Sequence, residues 1–301
     1  MAIAAYIKEI GRGREGARSL TREQATDLFG QLLDGAVSDL ETGAFCLAMR
    51  IKGETPIEMA GFLDATAARL HTVPGGALPL VVIPSYNGAR KLPLLTPLLA
   101  LLLAREGLPV LVHGAASEST RVVSSSVFAA LDIPAQLSIG PIAAGSVAFV
   151  PTGVLCSGLQ RLLDVRRVVG LRNPAHSLVK LMNPCTGKSL LVSSYTHPEY
   201  AVSMAATFEL MQTNAMLLRG TEGESVADAR RLPQMDGFIA GRRVLLQEGQ
   251  GGSLQNLPDL PRDTAANTTA TYIRQVLVGR CPLPTPIAHQ VRHIVHLASQ
   301  L

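Results

Sequence analysis

Tryptophan is absent from this 301-residue chain and aromatic residues make up only 4% of it, which excludes a recognition surface built mainly from stacked rings. Cysteine is scarce as well. Cys46, Cys156, Cys185 and Cys281 are widely scattered with no CxxC pair, the pattern of buried thiols in a reducing compartment and not of a disulfide framework. Membrane-length apolar runs are missing although 47% of the residues are hydrophobic. The longest candidate, Leu92 to Ala104, is too short for a bilayer and contains Pro93 and Pro97. Lys8 and Glu9 fall inside the first apolar stretch, so the opening segment is expected to be a helix and not a secretion signal. These absences together lead us to expect a cytoplasmic protein with no membrane partner. Charge of one sign is not extreme either: the formal net charge is +4 and the pI about 9.0. Such a balance permits a polyanionic partner without requiring one, and with so few rings any contact to nucleic acid runs mainly through phosphates.

The first seventy residues alternate capping signals with helical periodicity. Thr21-Arg-Glu-Gln24 and Ser38-Asp-Leu-Glu41 are capping boxes, and Thr55-Pro56-Ile-Glu58 adds proline at the first helical position. They predict helices near 22–34, 39–52 and 56–70, preceded by one near 2–10. His71 to Leu78, with Pro74-Gly75-Gly76, reads as a linker. From there strands are predicted at Leu80–Ile83, Val110–Val112, Ser146–Val150, Leu190–Val192, Ala215–Leu218 and Arg243–Leu246. Helical stretches near 94–105, 122–131, 155–167 and 198–211 separate them. Alternation of this kind implies an α/β fold with a mostly parallel central sheet. Further helices are predicted near 265–279 and 287–299, with loops at Pro258–Asp263 and Pro282–Pro286. The expected division is a small N-terminal helical domain over 1–73 and a larger α/β domain over 74–301.

One stretch is more specific than the rest. It runs Pro84-Ser-Tyr-Asn-Gly-Ala-Arg-Lys91, the apolar run Leu92–Ala104, Gly107-Leu-Pro-Val-Leu-Val-His113-Gly114, then Ser119-Thr120-Arg121 and Ala130-Leu131-Asp132. This framework resembles the anthranilate phosphoribosyltransferase and pyrimidine nucleoside phosphorylase family (glycosyltransferase family 3), and more closely its YbiB-type branch of nucleic-acid-binding paralogues. Further matches lie at Ile7–Gly11, Ala44–Glu58, Phe149-Val-Pro151, Arg166-Arg167, Gly170–Asn173 and Asn183-Pro184. Tyr195-Thr-His197-Pro198-Glu199 and Gly220-Thr-Glu-Gly-Glu224 are similar to the YbiB branch in particular. The likeness covers about 1–240. It implies a nucleoside phosphorylase/phosphoribosyltransferase-like fold, in which helices near 155–182 join the N-terminal bundle and a cleft separates the domains. It also implies a homodimer formed through the N-terminal helices.

The departures from the enzymes matter as much. Their Gly-Thr-Gly-Gly-Asp-Gly turn grips a diphosphate because glycines let backbone N–H groups come close. Here that turn falls on Pro84–Ala89, where Gly88 is out of register, Pro84 cannot donate and Tyr86 puts a ring in the ligand's path. The Asn-x-Ser-Thr helix start reads Leu94, Leu95, Thr96 and Pro97, and Ala115-Ala116 replaces Asn-Arg. The Asp-Glu pair that holds Mg²⁺ falls on Ser225 and Val226. Glu222 and Glu224 lie close by as stand-ins, but a displaced pair would have to rebuild an octahedral site.

The resulting expectation is non-sequence-specific binding of DNA or RNA, single- or double-stranded, through a basic interdomain groove on a degenerate anthranilate phosphoribosyltransferase scaffold. No catalytic residue, metal or cofactor is assigned. The residues expected to bind nucleic acid or phosphate are Ser85, Asn87, Arg90, Lys91, His113, Ser119, Thr120, Arg121, Arg172, His176 and Lys180. Arg172, His176 and Lys180 share a face if their segment is helical, although Pro174 makes the helix start uncertain. The alternative is an active phosphoribosyl or pentosyl transferase with an atypical diphosphate loop, and a third reading is a small-molecule sensor. His289, His293 and His296 have metal-like spacing, but no carboxylate or thiolate lies within a turn and Arg292 adds an opposing charge. Gly249-Gln-Gly251-Gly252 lacks the strand–turn–helix setting of a dinucleotide fingerprint and reads as a hairpin or loop.

Overall fold

The computed structural model describes residues 3–13, 15–118, 120–254 and 257–301. In chain order the helices of its first part are α1 (Ala4–Ile10), α2 (Arg22–Asp34), α3 (Asp39–Lys52) and α4 (Pro56–Ala67). There follow β1 (Leu80–Ser85), α5 (Thr96–Arg105), β2 (Val110–Gly114), α6 (Ser124–Ala130) and β3 (Val147–Pro151). Next come α7 (Thr152–Leu155), α8 (Ser157–Val169), α9 (Ala175–Leu178), β4 (Ser189–Tyr195), α10 (Pro198–Leu210) and β5 (Ala215–Arg219). The last elements are β6 (Met235–Ile239), β7 (Arg242–Gln247), α11 (Ala266–Leu277) and α12 (Thr285–Ala298). None of these helices is long and apolar enough to cross a membrane.

Two compact units result: Met1–His71 with Thr152–Pro184, and Thr72–Pro151 with Cys185–Leu301. The first is an all-helical bundle. All three capping boxes form as the sequence requires, with Thr21, Ser38 and Thr55 each bonded to the backbone N–H three residues on. Inside, Phe29 stacks on Phe62 at 4.6 Å and Phe45 meets Phe62 edge-on at 6.1 Å. Glu58 is wholly buried and satisfied. It accepts from Leu20 N–H at 2.9 Å, Thr55 N–H at 2.9 Å and Lys52 Nζ at 2.7 Å, so this charge ties α3, α4 and the entry to α2 together. Burial pushes the Cys46 thiol up to about 11, which leaves it protonated and inert.

The second unit is an α/β domain around a seven-stranded sheet ordered β3-β2-β1-β4-β5-β6-β7. The first five strands pair in parallel, and β6 pairs antiparallel with both β5 and β7. Its central strands are buried on both faces and read as continuous apolar runs, as a covered parallel sheet demands. The order reverses at β1, which pairs β2 on one side and β4 on the other. The mouth of the C-terminal strand ends at such a reversal is where open α/β sheets bind ligands.

Three expectations need correction. β6 is absent from the predicted strands because Asp236 and Gly237 interrupt its apolar run. Asp236 is nevertheless buried against Arg243 at 3.0 Å, and the missing side chain of Gly237 leaves room for Leu297 and Leu246. The helix expected near 155–167 is α8, shifted two residues later to Ser157–Val169, with the short α7 ahead of it before Cys156. The segment holding Arg172, His176 and Lys180 is helical only over the four residues of α9, with Pro174 as its cap. Arg172 and Lys180 lie outside it, so the three share no helical face.

Candidate functional site

The site is built at the C-terminal ends of β1, β4 and β5. After Ser85 the chain turns through Tyr86–Leu92 before reaching α5; Ala89 N–H donates to Val122 O at 2.7 Å, but the N–H groups of Asn87, Gly88, Arg90, Lys91 and Leu92 lie outside the sheet ladder and need acceptors from elsewhere. They find them in the segment after β5. That segment crosses the end of β4: Gly220 N–H reaches Tyr195 O at 3.3 Å, and Ser194 Oγ donates to Gly223 O at 2.9 Å.

Glu224 is 1% exposed and lies in the middle of the turn. Its Oε1 accepts from the N–H groups of Asn87 and Gly88, both at 2.7 Å, and its Oε2 from Ser85 Oγ at 2.5 Å and Thr96 Oγ1 at 3.1 Å. Glu222 serves the outer half of the same turn. Its Oε2 accepts from Arg90 N–H at 2.8 Å, Lys91 N–H at 3.1 Å and Leu92 N–H at 3.3 Å. Two carboxylates from one short segment thus gather five backbone N–H groups and two hydroxyls. This is a backbone anion-binding nest, and the anion belongs to the chain itself.

The segment is locked in place. Asn87 Nδ2 donates to Glu222 O at 3.0 Å, and Ser225 Oγ to Pro84 O at 2.9 Å. The buried Gln290 on α12 accepts from Ala227 N–H at 2.8 Å and donates to Ser225 O at 2.9 Å. Glu222 has φ 51°, a left-handed conformation uncommon for a side-chain-bearing residue, and Gly223 follows at φ 86°. A methyl group on Gly223 would come within 1.8 Å of Asn87 Nδ2, so this position requires glycine. Farther along, Asp228 pairs with Arg230 at 2.8 Å. Burial works to raise that carboxyl, but the bonds from Arg230 outweigh it and hold it below the usual range.

The donor set does not fit a divalent cation. Both carboxylates face a shell of N–H and O–H donors, the electrostatic opposite of a metal's surroundings. At the positions of the family's metal-binding pair, Ser225 bonds a carbonyl and Val226 is buried in the core. Among the described residues no cluster of three or more histidine, cysteine or carboxylate side chains is placed to hold a metal.

The expected binding residues separate into several environments. Ser85 and Asn87 are buried, and their donors are turned on the Glu222–Glu224 segment, not outward. His113 is wholly buried in β2, with Nδ1 2.8 Å from Tyr86 Oη. Arg90, Lys91 and Thr120 are exposed. Ala89 pairs with Val122 in an isolated antiparallel bridge, and Arg90 and Arg121 are the chain neighbours of that pair. Arg121 also donates to Asn87 O at 2.8 Å and braces the turn. Ser119 lies outside the described residues. Arg172, His176 and Lys180 are half-buried in the helical unit, where the His176 ring stays within 3.4 Å of Asn173. The spacing of Glu222 and Glu224 was visible in the sequence, but no sequence signal showed that their partners would be backbone donors some 130 residues away.

Residues 4–69 match the glycosyl transferase family helical bundle domain. The chain is 41% identical over 297 residues to the protein YbiB of Escherichia coli, covering 95% of this chain and 91% of that one. It is 28% identical over 273 residues to an anthranilate phosphoribosyltransferase of Sorangium cellulosum, covering 87% and 77% of the two chains. In structure it is similar to the anthranilate phosphoribosyltransferase of Thermus thermophilus, with a TM-score of 0.73, 22% identity, and coverage of 95% of this chain and 85% of that one. Helical bundle, reversed parallel sheet and 41% identity over nearly the full length agree: the chain belongs to the YbiB family, a branch of the anthranilate phosphoribosyltransferase-like proteins.

Proposed function

We propose that this protein binds nucleic acid without sequence preference, through phosphates, on a phosphoribosyltransferase scaffold that no longer turns over a phosphoribosyl donor. The observation that carries the reading is the occupied turn. Seven donors at the mouth of the sheet are spent on Glu222 and Glu224, while Arg90 and Lys91 are exposed at the outer part of the turn and Arg121 bonds Asn87 O of the same turn. Three cations within one turn and its neighbouring segment give a phosphate group charge-assisted partners. Phosphate contacts position a protein on a strand without reading its bases, consistent with a chain that has no tryptophan.

A homodimer formed through the helical unit is part of this proposal. On α3, Leu40, Leu47 and Ile51 are 83%, 47% and 60% exposed and, with Ala44, follow one helical stripe. A groove of about 270 Å³ lies beside them, lined by Ile7, Ile10, Ala44, Leu47, Ala48 and Ile51. A contiguous apolar face of this kind suits an isologous contact with a second copy.

Fluorescence anisotropy with single- and double-stranded oligonucleotides at several salt concentrations tests the binding. The logarithm of affinity is expected to fall linearly with the logarithm of salt. Removing the charges at Arg90, Lys91 and Arg121 should reduce that slope by about 0.7–0.9 per lost phosphate contact. Salt-independent binding, or turnover of phosphoribosyl pyrophosphate by the purified protein, would overturn the proposal.

A further inference from the structure

The two glutamates of the nest are not equivalent. Glu224 is buried, and four donors from Ser85, Asn87, Gly88 and Thr96 close over it. Glu222 is partly exposed and its carboxylate accepts from the backbone N–H groups of the exposed Arg90 and Lys91 and the half-buried Leu92. Its own backbone is pinned through the carbonyl to Asn87, so the carboxylate can leave by side-chain rotation alone. The backbone conformation it occupies is one that glycine adopts without penalty and glutamate does not.

The charge around Glu222 is also lopsided. Three N–H dipoles converge on one carboxylate, and the two residues that supply the first of them carry cationic side chains. Arg230 lies within electrostatic reach as well, although it is paired with Asp228. A single carboxylate brings one negative charge and two oxygens. A phosphate group brings more of both to the same donors.

We infer that Glu222 is an exchangeable lid on a surface phosphate site made by the N–H groups of Arg90, Lys91 and Leu92 with the Arg90 and Lys91 side chains, and that a phosphate group takes its place. The site lies at the outer end of the turn and leaves Glu224 where it is. The shared ligand chemistry is a phosphate, from either a nucleic-acid backbone or a small phosphorylated molecule. Because the lid competes with the ligand, the intact protein shows only a fraction of the site's intrinsic affinity.

The test is Glu222→Gly, which removes the carboxylate and suits the left-handed backbone, with Glu222→Gln as a second variant that keeps the side-chain size. Pyrophosphate is titrated into both variants and the intact protein by calorimetry, and amide resonances of residues 90–92 are followed by NMR. We expect at least about a tenfold lower Kd for pyrophosphate in a folded variant, with the shifts centred on Arg90, Lys91 and Leu92. A folded variant that binds no tighter than the intact protein, or shifts centred elsewhere, overturns the inference. A dT12 oligonucleotide distinguishes the sources: parallel tightening identifies a nucleic-acid phosphate, and tightening for pyrophosphate alone identifies a small phosphorylated ligand. The inference shares its cations with the proposed nucleic-acid site but does not depend on it. Loss of the salt slope in the intact protein would sink that function while leaving the pyrophosphate result to stand or fall separately.

Discussion

Gly223 is the residue on which the filled turn depends. It sits between the two carboxylates, its φ of 86° suits glycine, and a Cβ there would overlap the Asn87 amide. Gly223→Ala is therefore expected to destabilise the α/β unit by roughly 2–4 kcal/mol, read as a lowered urea midpoint. Asn87 Nδ2 would lose its bond to Glu222 O at the same time, so the variant should also loosen the turn. At this scale the sequence was only half legible. It showed that the phosphate-gripping glycines of Pro84–Ala89 are gone and that two carboxylates stand near the lost metal pair. It could not show that these two departures meet, because Asn87 N–H and Glu224 Oε1 are separated by 137 residues. Ser85, Asn87 and His113 looked available from their loop and strand-end positions, yet the packing of the sheet mouth buries all three.

Elements announced by local chemistry were easy to read. α2 and α3 begin and end where the capping boxes and helical periodicity place them, since an N-cap acts on donors only two or three residues away. Elements set by distant partners were harder. β6 is held by its ladders to β5 and β7, with Asp236 paired to Arg243 and Leu297 close to Gly237, and a window of neighbours does not reveal these partners. α12, which supplies that leucine, carries a pH-sensitive group of its own. Burial lowers the ordinary value of His293, and its neighbours His289, Arg292 and His296 lower it further. A histidine depressed by folding binds more protons in the unfolded chain, so stability rises with pH through its titration. The thermal midpoint is thus expected to fall as pH drops below about 6.5, through the depressed folded value. His293→Gln should flatten part of that fall in a melting series from pH 8 to pH 5. An unchanged profile would place the pH sensitivity elsewhere.

For the whole molecule, the α/β class and the mostly parallel sheet followed from the alternation of strands and helices. The strand order did not, because the sequence sets no limit on which distant strands lie side by side. The exposed α3 stripe bears on assembly. If Leu40, Leu47 and Ile51 are covered by a second copy, Leu47→Asp should convert a sedimenting dimer to monomer at micromolar concentration while leaving the helical signal intact. Sedimentation as a monomer before the substitution would remove that face from the assembly.

The span between the turn and its carboxylates has a consequence for synthesis. At about 5–20 residues per second, roughly 7–27 s pass between the emergence of Asn87 and that of Glu224, 137 residues later. Throughout that interval the donors of the turn lack their Glu222 and Glu224 acceptors. A ribosome-bound fragment ending before β5 therefore carries the turn's N–H groups without the two carboxylates that bind them in the finished protein.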